Sequence, residues 1–204
     1  MVWNWAMAVR MSRAEQVERN RGLVLEAARR IFLARGYAGA TVDAIAEEAG
    51  FSKGVVYSQF VGKPDLFLAL LEQRIAERGA ANADVAAHRA GLDGLRALLR
   101  LNARRSADDE DWGRLLIEFR IVAARDQELN ARYAALHETT IERFAGAIRD
   151  ILARDGLTTV HPPRMVAELV LALDAGTILE RAAGPTQVDM AALEDLVTRL
   201  VEPL

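Results

Sequence analysis

The sequence contains no cysteine among its 204 residues. A chain without thiols forms no disulfide bond and offers no thiolate ligand to a metal ion, and this composition suits a reducing compartment. Long apolar runs are also absent, since every uninterrupted apolar stretch is far shorter than the roughly 20 residues of a membrane-spanning helix. The first residues carry no basic segment ahead of a sustained apolar run, so no secretory signal is expected. The sequence therefore predicts a soluble, cytoplasmic protein with no membrane partner.

Lysine is nearly missing as well, because Lys53 and Lys63 are the only two lysines against 24 arginines. An arginine-biased genome is a sufficient explanation for that imbalance. The net charge of -3 excludes a protein that is basic throughout. Residues 10–65 nevertheless carry nine basic against seven acidic side chains, whereas residues 66–204 are acidic on balance. This asymmetry permits contact between the N-terminal part and a polyanion.

Apolar residues recur at helical spacing over almost the whole chain. A first buried stripe repeats at intervals of three and four residues, and it consists of Val24, Ala27, Ala28, Ile31 and Phe32. Gly36 follows this stripe and is the residue type that commonly ends a helix. Thr41 and Ser52 suit the N-cap positions of two short helices further on. The sequence therefore predicts three helices before residue 62.

A longer fourth helix is predicted to begin at Pro64, because Gly62 breaks the third helix and proline fits the first helical turn. We expect this helix to end at about Ala81. The remaining predicted helices cover residues 84–105, 110–124, 127–154, 163–183 and 189–202. The sequence therefore predicts an all-α fold of about nine helices, with no convincing strand.

The letters GFSKG, residues 50–54, match the pattern Gly-x-Ser-x-Gly that carries the nucleophilic serine of many hydrolases. Such a serine needs a buried strand before it, and an acid and a histidine later in the chain. An amphipathic helix precedes Ser52 instead, and His88, His137 and His161 fall in helical or loop contexts. We interpret Ser52 as a helix cap and expect no catalytic residue. An enzyme that uses Ser52 in acyl transfer is the alternative.

The segment TVDAIAEEAGFSKGVVYSQF, residues 41–60, has the pattern of a helix-turn-helix, two short helices joined by a tight turn. Ala46 and Gly50 let the two helices approach closely. The apolar residues of the segment would pack against the first helix, which leaves the other side chains of the third helix directed outward. These outward residues are Lys53, Gly54, Val55, Tyr57, Ser58 and Gln59. Their cation, hydrogen-bonding groups and apolar contact suit the base edges in a DNA major groove.

Three stretches between residues 20 and 75 share the order and spacing of one family, namely VLEAARRIF, RGYAGATVDAIAEEAGFSKGVVYSQF and VGKPDLFLALL. They resemble the tetracycline-repressor (TetR) family of transcriptional regulators. The resemblance implies a homodimeric repressor, without a cofactor, that leaves a palindromic double-stranded DNA operator when a small apolar or aromatic effector binds. It also implies an N-terminal arm at 1–18, a DNA-binding domain at 19–65, and a ligand-binding and dimerisation domain at 66–204.

The resemblance assigns roles to individual residues. In the family the third helix enters the major groove, and the Tyr, Lys and Thr that match Tyr57, Lys63 and Thr41 contact phosphates. The complete predicted set of DNA-contacting residues is Thr41, Ser52, Lys53, Gly54, Val55, Tyr57, Ser58, Gln59 and Lys63. Gln59 stands where the family often has histidine, so the base contacts stay open. The alternative is a helical ligand-binding or scaffold protein whose helix-turn-helix only packs.

The family's ligand pocket lies in the larger C-terminal domain. The bulky candidates for its lining are Phe67, Trp112, Leu116, Phe119, Tyr133, His137 and Phe144. An aromatic stripe at helical spacing is also compatible with ordinary core packing. An apolar pocket would favour a hydrophobic or aromatic effector. His137 with Glu138 and Glu142 is not a recognised metal-ligand set, so no metal is expected.

The predicted helices 163–183 and 189–202 are more apolar than one packed face requires. The family pairs such helices with their copies in a four-helix bundle, and small residues permit close approach. The predicted dimer contacts are Ala172, Ala175, Gly176, Leu193, Leu196 and Leu200. The alternative is that both helices belong to the core of a monomer.

Overall fold

The computed structural model describes residues 12–184 and, beyond them, residues 195, 196, 198 and 199. This part of the chain folds into eight helices and has no strand, which confirms the predicted all-α fold. The helices are α1 (Arg13–Gly39), α2 (Val42–Glu48), α3 (Lys53–Tyr57), α4 (Lys63–His88), α5 (Gly91–Asp108), α6 (Glu110–Ala123), α7 (Gln127–Ala153) and α8 (Pro163–Ala183). None of the described helices has the length and apolarity to cross a membrane. Leu193 and Leu200 of the predicted ninth helix lie outside the described residues.

The first three helices begin and end largely where the sequence predicts. The Ser12 hydroxyl accepts a hydrogen bond from the Glu15 N–H at 3.2 Å and so caps α1. Gly36 has φ 68° and ψ 173°, and it interrupts α1 as expected of a glycine in a region that side chains rarely adopt. The Thr41 hydroxyl accepts from the Ala44 N–H at 3.2 Å, so the predicted cap of α2 is confirmed.

Ser52 takes the N-cap position of α3, but its side chain makes no capping hydrogen bond. The prediction that its hydroxyl satisfies a free amide is therefore wrong. The Val55 N–H, which the hydroxyl would bind, donates instead to the Ser52 carbonyl oxygen at 3.0 Å. Because α3 has only five residues, this tight backbone turn uses the donor and leaves the hydroxyl exposed.

The boundary between α4 and α5 lies further along the chain than predicted. The fourth helix continues past Ala81 to His88, and α5 begins at Gly91 rather than near residue 84. The alanine-rich segment favours a continuous helix. Asn82 does not interrupt it, because its buried side chain accepts a hydrogen bond from Nδ2 of Asn102 on α5 at 2.9 Å.

Two clusters of buried residues form the core. The first joins the helix-turn-helix to α4, α6 and α7, and its aromatic members are Phe32, Tyr37, Phe60, Phe67, Trp112, Phe119 and Tyr133. The second joins α5, α7 and α8, and its large members include Leu95, Leu98, Phe144, Ile148, Ile151 and Val166. The helix α1 packs against α4 and α6, and α4 packs extensively against α7, so these helices connect the N-terminal region to the rest of the molecule.

Candidate nucleic-acid interface and internal cavity

The helix-turn-helix holds α3 at the surface of the molecule. Ile45 and Ala46 of α2 are buried, as are Val56 of α3 and Phe60 just after it, so one side of α3 is fixed against the core. Six of the predicted DNA-contacting residues are exposed, and these are Thr41, Ser52, Lys53, Gly54, Tyr57 and Ser58. The predicted residues Val55, Gln59 and Lys63 are partly buried. The arrangement leaves one side of a short helix free to enter a groove.

The two lysines of the candidate interface differ in their surroundings. Lys53 lies 2.5 Å from Asp43 in an exposed ion pair, which is readily exchanged for other partners. The Lys63 ammonium donates to the Tyr37 carbonyl oxygen at 2.8 Å and lies 4.6 Å from the centre of the Tyr37 ring. Burial lowers the pKa of Lys63. Lys63 is thus bound to the end of α1. To bind a phosphate, its ammonium would have to release the Tyr37 carbonyl oxygen or use another of its three N–H donors.

Gln59 has an unusual position among the predicted contact residues. Its side-chain Oε1 is buried and has no hydrogen-bond partner in the described part of the chain. A buried carbonyl oxygen without a donor carries a desolvation cost. The Gln59 side chain is therefore not fixed by hydrogen bonding through this oxygen, and the base contact predicted for it stays a prediction.

A cavity of about 130 Å³ lies between α4, α5, α6, α7 and α8. Five of the predicted ligand-pocket residues line it, namely Trp112, Leu116, Tyr133, His137 and Phe144. The structure does not place Phe67 and Phe119 in the lining. Both side chains are completely buried, and their rings stack on each other with centroids 4.2 Å apart behind the Trp112 ring. Aromatic residues at helical spacing thus divide between the lining and the core.

Polar side chains that sequence reasoning missed also line this cavity. They are Arg74, Arg78, Asn82, Asn102, Ser106 and Asp174. The sequence pattern could have indicated the two arginines, because with Leu71 and Ile75 they lie on one face of α4 and interrupt an apolar stripe. No sequence pattern indicates the polar residues of α5 and α8, since only tertiary packing brings those helices to α4.

The cavity lining also includes a titratable pair on α7. The rings of Tyr133 and His137 stack with centroids 5.8 Å apart, and the Arg120 guanidinium lies 5.7 Å from the centre of the Tyr133 ring. Burial and the nearby Arg120 lower the pKa of His137. Neutral imidazole is therefore favoured here. No group of acidic, histidine or cysteine side chains suited to a metal ion occurs among residues 12–184.

The predicted dimer residues of α8 fall on two sides of the helix. Ala175 lines the cavity, together with Leu171, Asp174 and Ile178. Ala175 thus lies on the inward side of α8, and its part in a dimer contact stays a prediction. Ala172 is exposed, Gly176 is partly buried and Leu196 is 48% exposed. Met165 and Leu179, each seven positions from Ala172, are also exposed and place an apolar stripe on the outside of α8.

A helix-turn-helix with an outward third helix, followed by a helical domain around a cavity, is an architecture that suits a one-component transcriptional regulator. Residues 24–70 match the family model of the bacterial regulatory proteins of the tetR family. Residues 91–204 match the model for the C-terminal domain of BetI-type transcriptional repressors. The chain belongs to the TetR family, and the resemblance found in its sequence is confirmed.

Known relatives agree with this assignment. The chain is 31% identical over 188 residues to the HTH-type transcriptional repressor Rv1474c of Mycobacterium tuberculosis. The aligned region covers 87% of this chain and 90% of that protein. It is 28% identical over 168 residues to the HTH-type transcriptional activator FasR of Mycolicibacterium smegmatis, covering 76% and 69%. The FadR regulator of Bacillus subtilis, solved with stearoyl-CoA, has the same fold, with a TM-score of 0.69, 16% identity and coverage of 88% and 96%.

The family excludes the enzyme alternative raised by Ser52. The chain is a DNA-binding transcriptional regulator and not an enzyme, because both its family and its relatives regulate transcription. The scaffold alternative, in which the helix-turn-helix only packs, is excluded on the same ground.

Proposed function

We propose that this regulator is a homodimeric repressor that leaves a palindromic operator when a small molecule with an apolar or aromatic body enters the internal cavity. The observation that carries the proposal is the course of α4. This helix begins at Lys63, five residues after Ser58, and then forms a wall of the cavity with Leu71, Ile75 and Arg78. A ligand that favours a shifted α4 would therefore also favour a shifted α3.

Contacts in the N-terminal region support a path between the two sites. The Tyr37 ring packs edge-on against Phe67 of α4 and Phe119 of α6, with centroids 5.4 and 5.0 Å away. Phe67 in turn stacks on the cavity residue Trp112 at 5.7 Å. Because such a core is closely packed, a displaced Trp112 ring would require its neighbours to move. A typical coupling of ~1 to 3 kcal/mol changes operator affinity by roughly 5- to 150-fold.

The apolar stripe on the outside of α8 supports a homodimer. Met165, Ala172 and Leu179 are exposed on that side, and small residues there let two helices approach. A two-fold axis through this contact would present two copies of α3 to one face of a duplex. Two identical reading helices related by such an axis match a palindromic site.

The DNA contacts that we propose follow the exposed face of α3. Tyr57, Lys63 and Thr41 would bind phosphates, and Lys53, Gly54, Val55, Ser58 and Gln59 would face base edges, with Ser52 at the helix start. Phosphate contacts position the protein, whereas base contacts select the sequence. Since the matched family consists of bacterial regulatory proteins, and bacterial DNA lies in the cytoplasm, we place the protein there.

The direction of regulation is tested in the cell. Genomic fragments selected by the purified full chain would be joined to a reporter in a host with and without the gene for this protein. Repression predicts higher reporter output in the host that lacks the gene. Lower output in that host would contradict repression while leaving DNA binding intact. Failure of every fragment to be enriched would contradict the DNA-binding role itself.

A further inference from the structure

The wall of the cavity carries more positive than negative charge. Four arginines, Arg74, Arg78, Arg120 and Arg143, face two aspartates, Asp109 and Asp174. This excess of two formal positive charges belongs to a domain that is acidic on balance. Arginine is costly to place inside a protein unless its charge meets a partner. The question is therefore which of these guanidinium groups has no partner at all among the described residues.

Arg74 has a partner within the protein. Its Nη2 lies 2.5 Å from Oδ2 of Asp109, and its guanidinium lies 5.0 Å from the centre of the Trp112 ring. Arg143 donates through Nη1 to the Ile75 carbonyl oxygen at 3.3 Å. Arg120 lies over the Tyr133 ring.

Arg78 differs from these three because its guanidinium has no carboxylate, hydrogen-bond acceptor or aromatic ring as a partner among the described residues. Its Nε is buried without a hydrogen-bond partner, as is the Nε of Arg74. Burial and the neighbouring Arg74 lower the pKa of Arg78, and Asp174 opposes this shift. The Asp174 carboxylate itself accepts a hydrogen bond from the Ser106 hydroxyl on α5. Arg78 thus lines the cavity without an ion pair, because the two aspartates of the wall are engaged by Arg74 and Ser106.

We propose that the effector is an acid, with a carboxylate or phosphate group bound by the Arg78 guanidinium and an apolar body among Trp112, Leu116 and Phe144. The inference rests on the proposed function only in calling this ligand an effector. A planar guanidinium binds the two oxygens of such a group in a bidentate manner, and hydrogen bonds between charged groups are roughly twice as strong as neutral ones. The Asn102 and Ser106 side chains offer further polar contacts beside the anion.

The size of the cavity sets the size of the probe. A protein cavity of about 150 Å³ is known to bind benzene, so a cavity of about 130 Å³ suits one aromatic ring or a short alkyl chain. Phenylacetate and hexanoate are carboxylates in this range, and phenyl phosphate is the matching phosphate. Phenylacetamide and hexanamide are neutral molecules of the same shape as the two carboxylates.

The test is calorimetric titration of the full chain with these five compounds at up to 10 mM, with thermal unfolding as a second readout. We expect at least one acid to bind, and the matching amide to bind at least tenfold more weakly, since it lacks the charge. Arg78→Met should reduce affinity for the acid at least tenfold. Arg104→Met, which removes an exposed arginine of α5, should leave that affinity within twofold.

A stability measurement separates ligand binding from a packing role. If Arg78 serves to bind an anion, Arg78→Met should not lower the unfolding temperature of the free protein, because it removes a partly buried charge that has no ion-pair partner among the described residues. A lower unfolding temperature would assign Arg78 to packing and overturn the proposal. Equal binding of acid and amide, unchanged acid binding by Arg78→Met, or no binding by any of the three acids would also overturn it.

The outcomes also distinguish this proposal from the proposed function. Acid binding that depends on Arg78, in a protein that selects no DNA fragment, would support the anion site and contradict the repressor. A regulator that selects an operator but binds none of the acids would leave the repressor in place and overturn the anion site. Binding of phenyl phosphate without the carboxylates, or the reverse, identifies the type of acid.

Discussion

The backbone N–H of Tyr37 donates a hydrogen bond to Oε2 of Glu118 at 2.8 Å. This bond ties the end of α1, in the helix-turn-helix region, to the middle of α6, which forms part of the cavity wall. The two residues are far apart in the sequence and meet because α1 packs against α6. A movement of α1 away from α6 would leave the buried Tyr37 N–H without a partner, which costs free energy. The contact therefore holds the DNA-binding region in position relative to the cavity.

Glu118→Ala should lower the free energy of unfolding by about 1 to 3 kcal/mol, since it leaves the Tyr37 N–H without its acceptor. Glu77→Ala, which removes an exposed glutamate of α4, is the matched control and should change stability by less than about 0.5 kcal/mol. Urea unfolding followed by circular dichroism measures both. Equal stability of the two variants would show that the Tyr37 contact contributes nothing.

Gly36→Ala should destabilise the protein by about 1 to 3 kcal/mol, because its φ of 68° and ψ of 173° suit glycine alone. A methyl group there would also lie 2.8 Å from Glu118 Oε2. Gly146→Ala is the opposite control, because the space beside this α7 glycine is open. That change should stabilise by about 0.5 to 1 kcal/mol. Thermal or urea unfolding of both variants measures the change in stability. An increase in stability on Gly36→Ala would contradict the structure.

Lys63→Ala should weaken binding to all DNA sequences and reduce the slope of log affinity against log salt by about one unit. Tyr57→Ala should also weaken binding uniformly, while Gln59→Ala should relax preference at particular bases. Fluorescence anisotropy over a series of salt concentrations measures these effects. Arg149→Ala, an exposed α7 substitution, serves as the control. An unchanged salt slope for Lys63→Ala would indicate that Lys63 does not bind a phosphate and keeps its bond to the Tyr37 carbonyl oxygen in the complex with DNA.

The protein should lose stability as the pH falls from about 7 to 5, and His137 should contribute to that loss. Burial and Arg120 lower the pKa of His137 from its ordinary value of 6.5, and Glu138 and Glu168 oppose the shift only in part. As the pH falls, His137 therefore takes up a proton in the unfolded chain before it does so in the folded protein. The contribution of neutral His137 to the stability of the folded state is complete above pH 6.5 and declines below that pH.

His137→Asn should flatten this pH dependence, and His88→Gln, which changes an exposed histidine of α4, should not. Urea unfolding at pH 7 and pH 5 measures the difference. If parent and His137→Asn lose the same stability over this range, the decline comes from other groups.

Ala172→Arg should convert the proposed dimer to a monomer, because a charge would enter the apolar stripe on the outside of α8. Ala134→Arg places the same charge on an exposed position of α7 and should leave the mass unchanged. Light scattering after size-exclusion chromatography gives the mass of each variant. A dimer that survives Ala172→Arg would place the contact elsewhere.

Local signals predicted the helices and the helix-turn-helix well. Gly36, Thr41 and Gly62 act through the conformation of their own backbone or the nearest turn, so the sequence around them was sufficient. The end of α4 was harder, because Asn82 is held in the helix by Asn102 of another helix.

The cavity could not be predicted to the same degree. Spacing alone cannot separate Phe67, which lies in the core, from Trp112, which faces the cavity, because both are apolar residues on the inner sides of their helices. The charged wall depends on the relative positions of α4, α6, α7 and α8. The unpaired Arg78 is a property of these packed helices and cannot be recognised in any one of them.

A footprint of the full chain on a selected genomic fragment tests the central claim most directly. The exposed face of α3, presented twice in a two-fold dimer, predicts two protected half-sites with inverted sequences, centred one helical turn of DNA or a multiple of it apart. Tyr57→Ala should lose both half-sites together. A single protected half-site, direct rather than inverted repeats, or protection that survives Tyr57→Ala would contradict the account.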